Sequence, residues 1–149
     1  MTEAGLGTDG VPARAFAMRL SLLGIPAAYH FDPLLITPCI ATAAAGDVLL
    51  VFSEHGKQAE LCRLARQAKK RRARVVSVTR NTSNALRAQA DSALLISAHD
   101  ARPQVEVLLY QAAVQHVLDL LFVLLCDGSR ERMGRLKDNL ERIQRLADP

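Results

Sequence analysis

The chain has 149 residues, half of them apolar, only 4% aromatic and none tryptophan, with a net charge of +4 and a pI near 9.3. That length suits one domain with a real core built on Leu, Val, Ile and Ala, and the interspersed acids mean the basic balance permits an acidic partner without demanding one. Cys39, Cys62 and Cys126 are too scattered for a disulfide framework or a metal-ligand spacing, and the opening residues lack the charged-then-apolar pattern of a signal peptide.

In chain order, "MTEA" is too short and polar to be a buried strand on its own, so the first strand of the domain is expected to be truncated. "GLGTDG" (Gly5 to Gly10) then leads into a helix that starts near Pro12, carries Ala13, Phe16, Ala17 and Leu20 on one face and ends at Gly24. "PAAYHF" reads as a short edge strand, and a helix follows from about Pro33 to Ala45, stopped by Gly46. Val48–Phe52, Val75–Thr79 and Ala93–Ile96 are apolar runs without alternation, the pattern of strands covered on both faces. Between the first two, Leu61, Cys62, Leu64, Ala65 and Ala68 share one helical face, while Glu60, Arg63, Arg66 and Lys70 share the other. This is a βαβ unit, with a right-handed crossover expected. A shorter helix, about Ser83 to Ala90, joins the second and third strands.

The stretch from about Pro103 to Cys126 is a long helix whose longest wholly apolar run is Leu120–Cys126. Because Glu106, Gln111, Gln115, His116 and Asp119 interrupt it, and a bilayer crossing needs about 18 or more apolar residues, a buried helix of a soluble protein is expected. "DGS" breaks it, with Ser129 as N-cap of a last helix. There Met133, Leu136, Leu140, Ile143 and Ala147 form a narrow seam, suited to packing on a neighbour within its own domain or across a dimer. The whole reads as one α/β domain over residues 1–149, a three-layer sandwich with a mainly parallel sheet of about four or five strands.

In open parallel sheets, ligands sit beyond the carboxyl ends of strands, where helix N-termini turn free N–H groups outward. "SEHGKQ" (Ser53 to Gln58) occupies that place. Gly56 permits close backbone approach, Ser53 and Gln58 offer a hydroxyl and an amide, and His55 and Lys57 offer positive charge. These are donors for an anion; an ordinary solvated strand-to-helix turn is the competing reading.

From Gly46 to Ser97 the chain resembles the SIS, or sugar isomerase, fold, and more narrowly the ligand domain of RpiR-type transcriptional regulators, with a flavodoxin-like topology. The family's S-x-S-G-x-T-x-E corresponds to Ser53-Glu54-His55-Gly56-Lys57-Gln58-Ala59-Glu60, followed by "ARVVSVT" ending at Thr79, Ser83-Asn84-Ala85-Leu86 and Ala90-Asp91. The opening "GLGTDGVPARAFAMRLSLLGIPA" and the closing "QHVLDLLFVLLCDGSRERMGRLKDNLERIQ" also resemble the family. The resemblance implies a sugar phosphate held by two glycine-rich loops: Gly5, Gly7, Thr8 and Asp9 from the first, Ser53, Glu54, His55, Gly56, Lys57 and Gln58 from the second. It further implies a homodimer or tetramer in the cytoplasm, and DNA binding only through a helix-turn-helix domain absent from this chain. Asp9, His55 and Gln58 replace the expected serine, serine and threonine. His55 and Lys57 then supply the positive charge that a phosphate beside Asp9 needs.

The expected function is therefore a phosphosugar-sensing domain without catalytic residues, metal, cofactor or membrane association. The alternatives are a sugar-phosphate isomerase with Glu106 or His116 as base, and a degenerate dimerisation module. Glu106 otherwise reads as a solvated acid at a helix N-terminus, His116 as a core or interface histidine, and His30 and His99 as loop-edge residues with no partner in view. "KKRR" (Lys69 to Arg72) reads by default as the solvated cationic end of its helix; nucleic-acid contact is the sharper alternative, against which no aromatic residues interleave and no recognition helix is evident.

Overall fold

The alternation hidden in VLLVF organises the interior. In β3 (Val48–Phe52), Leu49 and Val51 enter one core, while Leu50 and Phe52 enter the other. A strand apolar on both faces must be covered on both, and helices do this here. The computed structural model describes residues 2–5, 10–30 and 32–147; Gly7, Thr8 and Asp9 of the first expected loop lie outside them.

Among the described residues, β1 (Thr2–Gly5), β2 (Ala28–His30), β3, β4 (Arg74–Arg80) and β5 (Ser92–Ile96) form a parallel sheet in the order β2-β1-β3-β4-β5. Each crossover is helical: α1 (Gly10–Leu22), α2 (Pro33–Ala41), α3 (Ala59–Lys70) and α4 (Ala85–Gln89), before α5 (Pro103–Asp127) and α6 (Arg130–Ala147). The core on one face joins Ile36 and Ile40 of α2 with Leu61, Leu64 and Ala65 of α3 and Leu86 of α4. That on the other joins Ala13, Phe16 and Leu20 of α1 with Tyr110, Val114 and Leu118 of α5. The result is the expected three-layer sandwich. Gly5, Phe52 and Val78 lie in register across β1, β3 and β4, so β1 and β3 end together at one rim and β4 runs on to Arg80 beside it.

Several expectations are corrected. Thr2–Gly5 does pair as a strand, between β2 and β3, despite its polar sequence: parallel neighbours on both sides supply the hydrogen bonds that the local sequence does not advertise. α1 begins at Gly10, ahead of Pro12. α2 ends at Ala41 instead of near Ala45. Pro38 lies inside it, and the Thr42 hydroxyl donates to the Pro38 and Cys39 carbonyls at 3.1 and 3.2 Å, drawing the chain out of the helix. α4 begins one residue after Asn84, whose side chain caps it by accepting from the Arg87 N–H at 2.8 Å.

β5 is an edge strand with Ser92 and Ala93 exposed, so it is not covered on both faces. Nor is α5 a buried helix. By length and composition alone it could cross a membrane, yet Tyr110, Val114, Leu118 and Cys126 are anchored in the sandwich. Its other side leaves Leu108, Leu109, Leu120, Val123 and Leu124 exposed. α6 contributes no buried residue; the Met133, Leu140 and Ile143 seam stays about half exposed, although Asn139 Nδ2 donates to the Leu22 carbonyl at 2.9 Å. The Ser129 hydroxyl accepts from the Arg132 N–H, as an N-cap should.

Candidate functional site

The rim beyond β3 is built by backbone first. Pairing with β4 continues past Phe52, with the Ser53 N–H donating to Val78 O at 3.0 Å and the Arg80 N–H to Glu54 O at 2.9 Å. The chain then turns at Gly56, with φ at +60°. A Cβ there would stand 2.1 Å from Asn84 Oδ1, so both conformation and space demand glycine. The Gly56 carbonyl accepts from the Leu86 N–H at 3.0 Å, stitching this loop to the start of α4.

Ser53 is buried, and its hydroxyl works inside the loop: it accepts from the Gly56 N–H at 3.1 Å and donates to Gln58 Oε1 at 2.9 Å. Ser53 and Gln58 therefore shape the turn. His55 and Lys57 project as exposed side chains on either side of Gly56. Gln58 occupies the N-cap position of α3 without a side-chain cap bond. The helix opens with first-turn N–H groups that no capping side chain satisfies, the positive end of its dipole. Of the expected second loop, the structure thus brings together the glycine turn with the exposed His55 and Lys57 side chains, and sets the Glu54 carboxylate 4.0 Å from His55 Nε2.

Glu54 goes to Arg80, the last residue of β4 and the feature that sequence reading missed. Its guanidinium donates through Nε and Nη2 to Glu54 Oε1 at 2.9 and 2.6 Å, and through Nη1 to Glu106 Oε1 and Ala98 O at 2.9 and 2.8 Å. It also lies 5.1 Å from the centre of the Tyr110 ring. The Arg80 side chain is 13% exposed, Glu54 16% and Glu106 28%. The signal was a cation ending an apolar strand, at the carboxyl rim where ligands gather in such sheets. Glu106 is accordingly not a solvated acid but half of a shared ion pair. An open cavity of about 420 Å³ adjoins it, lined by Arg80, Asn81, Thr82, Ser97, His99 and Glu106 among others. His99 Nδ1 stands 3.8 Å from Glu106. Asn84 braces this side too, its amide donating to the Thr79 hydroxyl and the Thr82 carbonyl, both at 3.1 Å.

The remaining histidines lie apart. His116 is exposed on α5, and His30 meets the Cys39 thiol at 3.3 Å, a partner the sequence did not suggest. No group of three or more metal-ligating side chains forms among the described residues.

This rim, a glycine turn into an uncapped helix on a parallel sheet in the order β2-β1-β3-β4-β5, accompanies a family match: the model for the SIS domain covers residues 4–124. The chain belongs to the SIS domain family. Two curated relatives of this SIS domain are named 3-hexulose-6-phosphate isomerase. The one from Mycobacterium gastri is 37% identical over 95 residues, and that from Bacillus subtilis 34% over 88, covering 64% and 59% of this chain. The matched segments span 45% of each relative, so less than half of their length is represented. Among solved structures, the Vibrio vulnificus NanR protein complexed with ManNAc-6P superposes with a TM-score of 0.85 at 20% identity, over 99% of this chain and 57% of that one. The sugar isomerase domain of the RpiR transcription factor from Sphaerobacter thermophilus superposes at 0.81 with 17% identity, over 95% and 77%. At such identities the likeness is one of fold.

Proposed function

We propose that this SIS domain is a sugar-phosphate sensor of an RpiR-type regulator, cytoplasmic and working as a dimer or larger assembly. The observation that carries the reading is the α3 N-terminus: a glycine turn and first-turn amides that no side chain caps, flanked by His55 and Lys57. An anion gains there from N–H groups and helix dipole together. The names of the curated relatives and of the NanR complex support a sugar phosphate as that anion. The ligand's phosphoryl group would meet the amides of the first turn of α3 and the side chains of His55 and Lys57. Gly7, Thr8 and Asp9 keep their proposed place in the first loop. Ser53 and Gln58 act by holding the turn, and Glu54 by holding Arg80. The exposed apolar residues of α5 and α6 fit the two-fold contact of a second copy, which would let occupancy alter how subunits pack.

The second reading, a sugar-phosphate isomerase, draws on Glu106, which lines the cavity beyond β4 and β5, and on the two isomerase relatives. Against it stands the engagement of Glu106 Oε1 by Arg80, which holds the carboxylate as an ion-pair partner. Thermal shift with ManNAc-6P, 3-hexulose 6-phosphate and inorganic phosphate tests the sensor; no shift with any of them rejects it. Turnover of 3-hexulose 6-phosphate that vanishes in Glu106→Gln would establish the isomerase instead.

A further inference from the structure

The charge of the molecule is unevenly placed. Between Ser53 and Asp91 the chain carries ten Lys and Arg against three acids, while the rest carries nine against twelve. The positive excess of the whole protein therefore resides in the α3–β4–α4 segment. α3 starts at the ligand rim and runs back beneath the sheet, and its C-terminal cations stand at the opposite rim, where β4 begins. Its 12 residues separate the two ends by about 18 Å, at about 1.5 Å per residue.

At that far rim an open cavity of about 490 Å³ is lined by Lys69, Arg72, Arg74, Asp91 and Ser92 among others. Lys69 is matched by Asp91 at 3.0 Å. Arg66, Lys70, Arg71, Arg72 and Arg74 are all exposed and make no ion pair among the described residues. Arg72 adds an independent observation. It has φ +63°, the one non-glycine residue with positive φ among the described residues, at the turn that closes α3. Glycine relaxes that position. A long cation held there in a strained conformation is a feature that folding does not require.

We propose that this face, centred on Arg66, Lys70, Arg71, Arg72 and Arg74, docks the phosphate backbone of duplex nucleic acid without reading bases. Four of these five are arginines, whose planar forks match phosphate oxygens. No aromatic side chain stands among them to stack on unpaired bases, which favours a duplex over a single strand. A lipid surface fits less well, because none of the exposed large apolar side chains lies between Ile36 and Glu106. The contact is separate from the ligand rim and from any helix-turn-helix domain.

The test is fluorescence anisotropy with a labelled 20-base-pair duplex of random sequence, titrated with the full chain at 50 and 200 mM salt. Contacts to about five phosphates give a slope of log affinity on log salt of about −4.5. Arg72→Glu/Arg74→Glu is expected to weaken binding at least tenfold, and Arg72→Gly at least twofold with the fold intact by circular dichroism. Lys137→Glu/Arg142→Glu on α6 should change it less than twofold. Absence of duplex binding at 50 mM salt overturns the proposal. So does equal loss in the α6 variant, or binding of polyglutamate or anionic vesicles at least as tight as the duplex.

Discussion

At Gly56 and Gly46 the same residue type does different work. Both have positive φ, but a Cβ at Gly46 meets nothing within 4 Å, whereas one at Gly56 strikes Asn84. Gly46→Ala should therefore cost about 1–2 kcal/mol, from backbone strain alone, and leave ligand binding unchanged. Gly56→Ala should cost more and abolish the thermal shift by sugar phosphate, because the turn and the α4 cap must both move. Arg72→Gly should work the other way, raising stability by about 0.5–1 kcal/mol as the left-handed strain is released; chemical denaturation compares all three variants. Asp91 provides a pH dependence. Its carboxyl is held below the usual carboxylate range, first by the Val75 N–H and then by hydrogen bonding to Lys69. Such a group binds protons less readily in the folded state, so its stabilisation is present above the unfolded pKa and is lost as pH falls through the depressed folded one. Asp91→Asn should lower the melting temperature at pH 7 and flatten its fall below about pH 4.

Among elements, α3 and α5 contrast in what their sequences revealed. α3 separates its faces cleanly, and the residues expected on the inner face, Leu61 to Ala68, are the ones buried. Leu64→Ala should cost about 2–5 kcal/mol, the usual penalty for a cavity in a close-packed core. α5 is apolar nearly all round, so sequence pattern could not say which side faced the sheet, and the inference that all of it is buried was wrong. Its outer side leaves Leu108, Leu109, Leu120, Val123 and Leu124 exposed, while Asp119 meets Arg19 of α1 and Gln115 of its own helix. Charging that side reads out its role: Leu120→Glu/Leu124→Glu should leave the fold unchanged by circular dichroism but convert a dimer to a monomer in size-exclusion chromatography with light scattering. An unchanged assembly would place the subunit contact elsewhere.

For the whole molecule, the Arg80 cluster joins three parts of the chain: the Ser53–Gln58 loop through Glu54, the end of β4, and the start of α5 through Glu106. Removing the cation leaves two carboxylates facing one another with little solvent. Arg80→Gln should destabilise by about 3–5 kcal/mol, as broken buried ion pairs do. Glu54→Gln/Glu106→Gln in the same background should recover part of that loss, which calorimetry can establish. A ligand that binds only the folded state adds about 2.7 kcal/mol at a hundredfold excess over its Kd. Bound ligand should therefore raise the melting temperature of the intact chain, and of Glu106→Gln, if the phosphoryl contact is at the α3 amides.

The sequence by itself determined the parallel α/β architecture, the βαβ unit and the strand-to-helix turn at Ser53–Gln58, because hydrophobic period and glycine placement are local signals. Only the tertiary structure decided that Thr2–Gly5 is a strand, since its bonds come from β2 and β3. It also decided that the Ser53 hydroxyl is buried and bonds Gln58, that Gly56 must clear Asn84, and that Glu54, Arg80 and Glu106 meet across 26 residues in each direction. Pairings of that kind depend on which strand ends share a rim, and no local pattern carries that information.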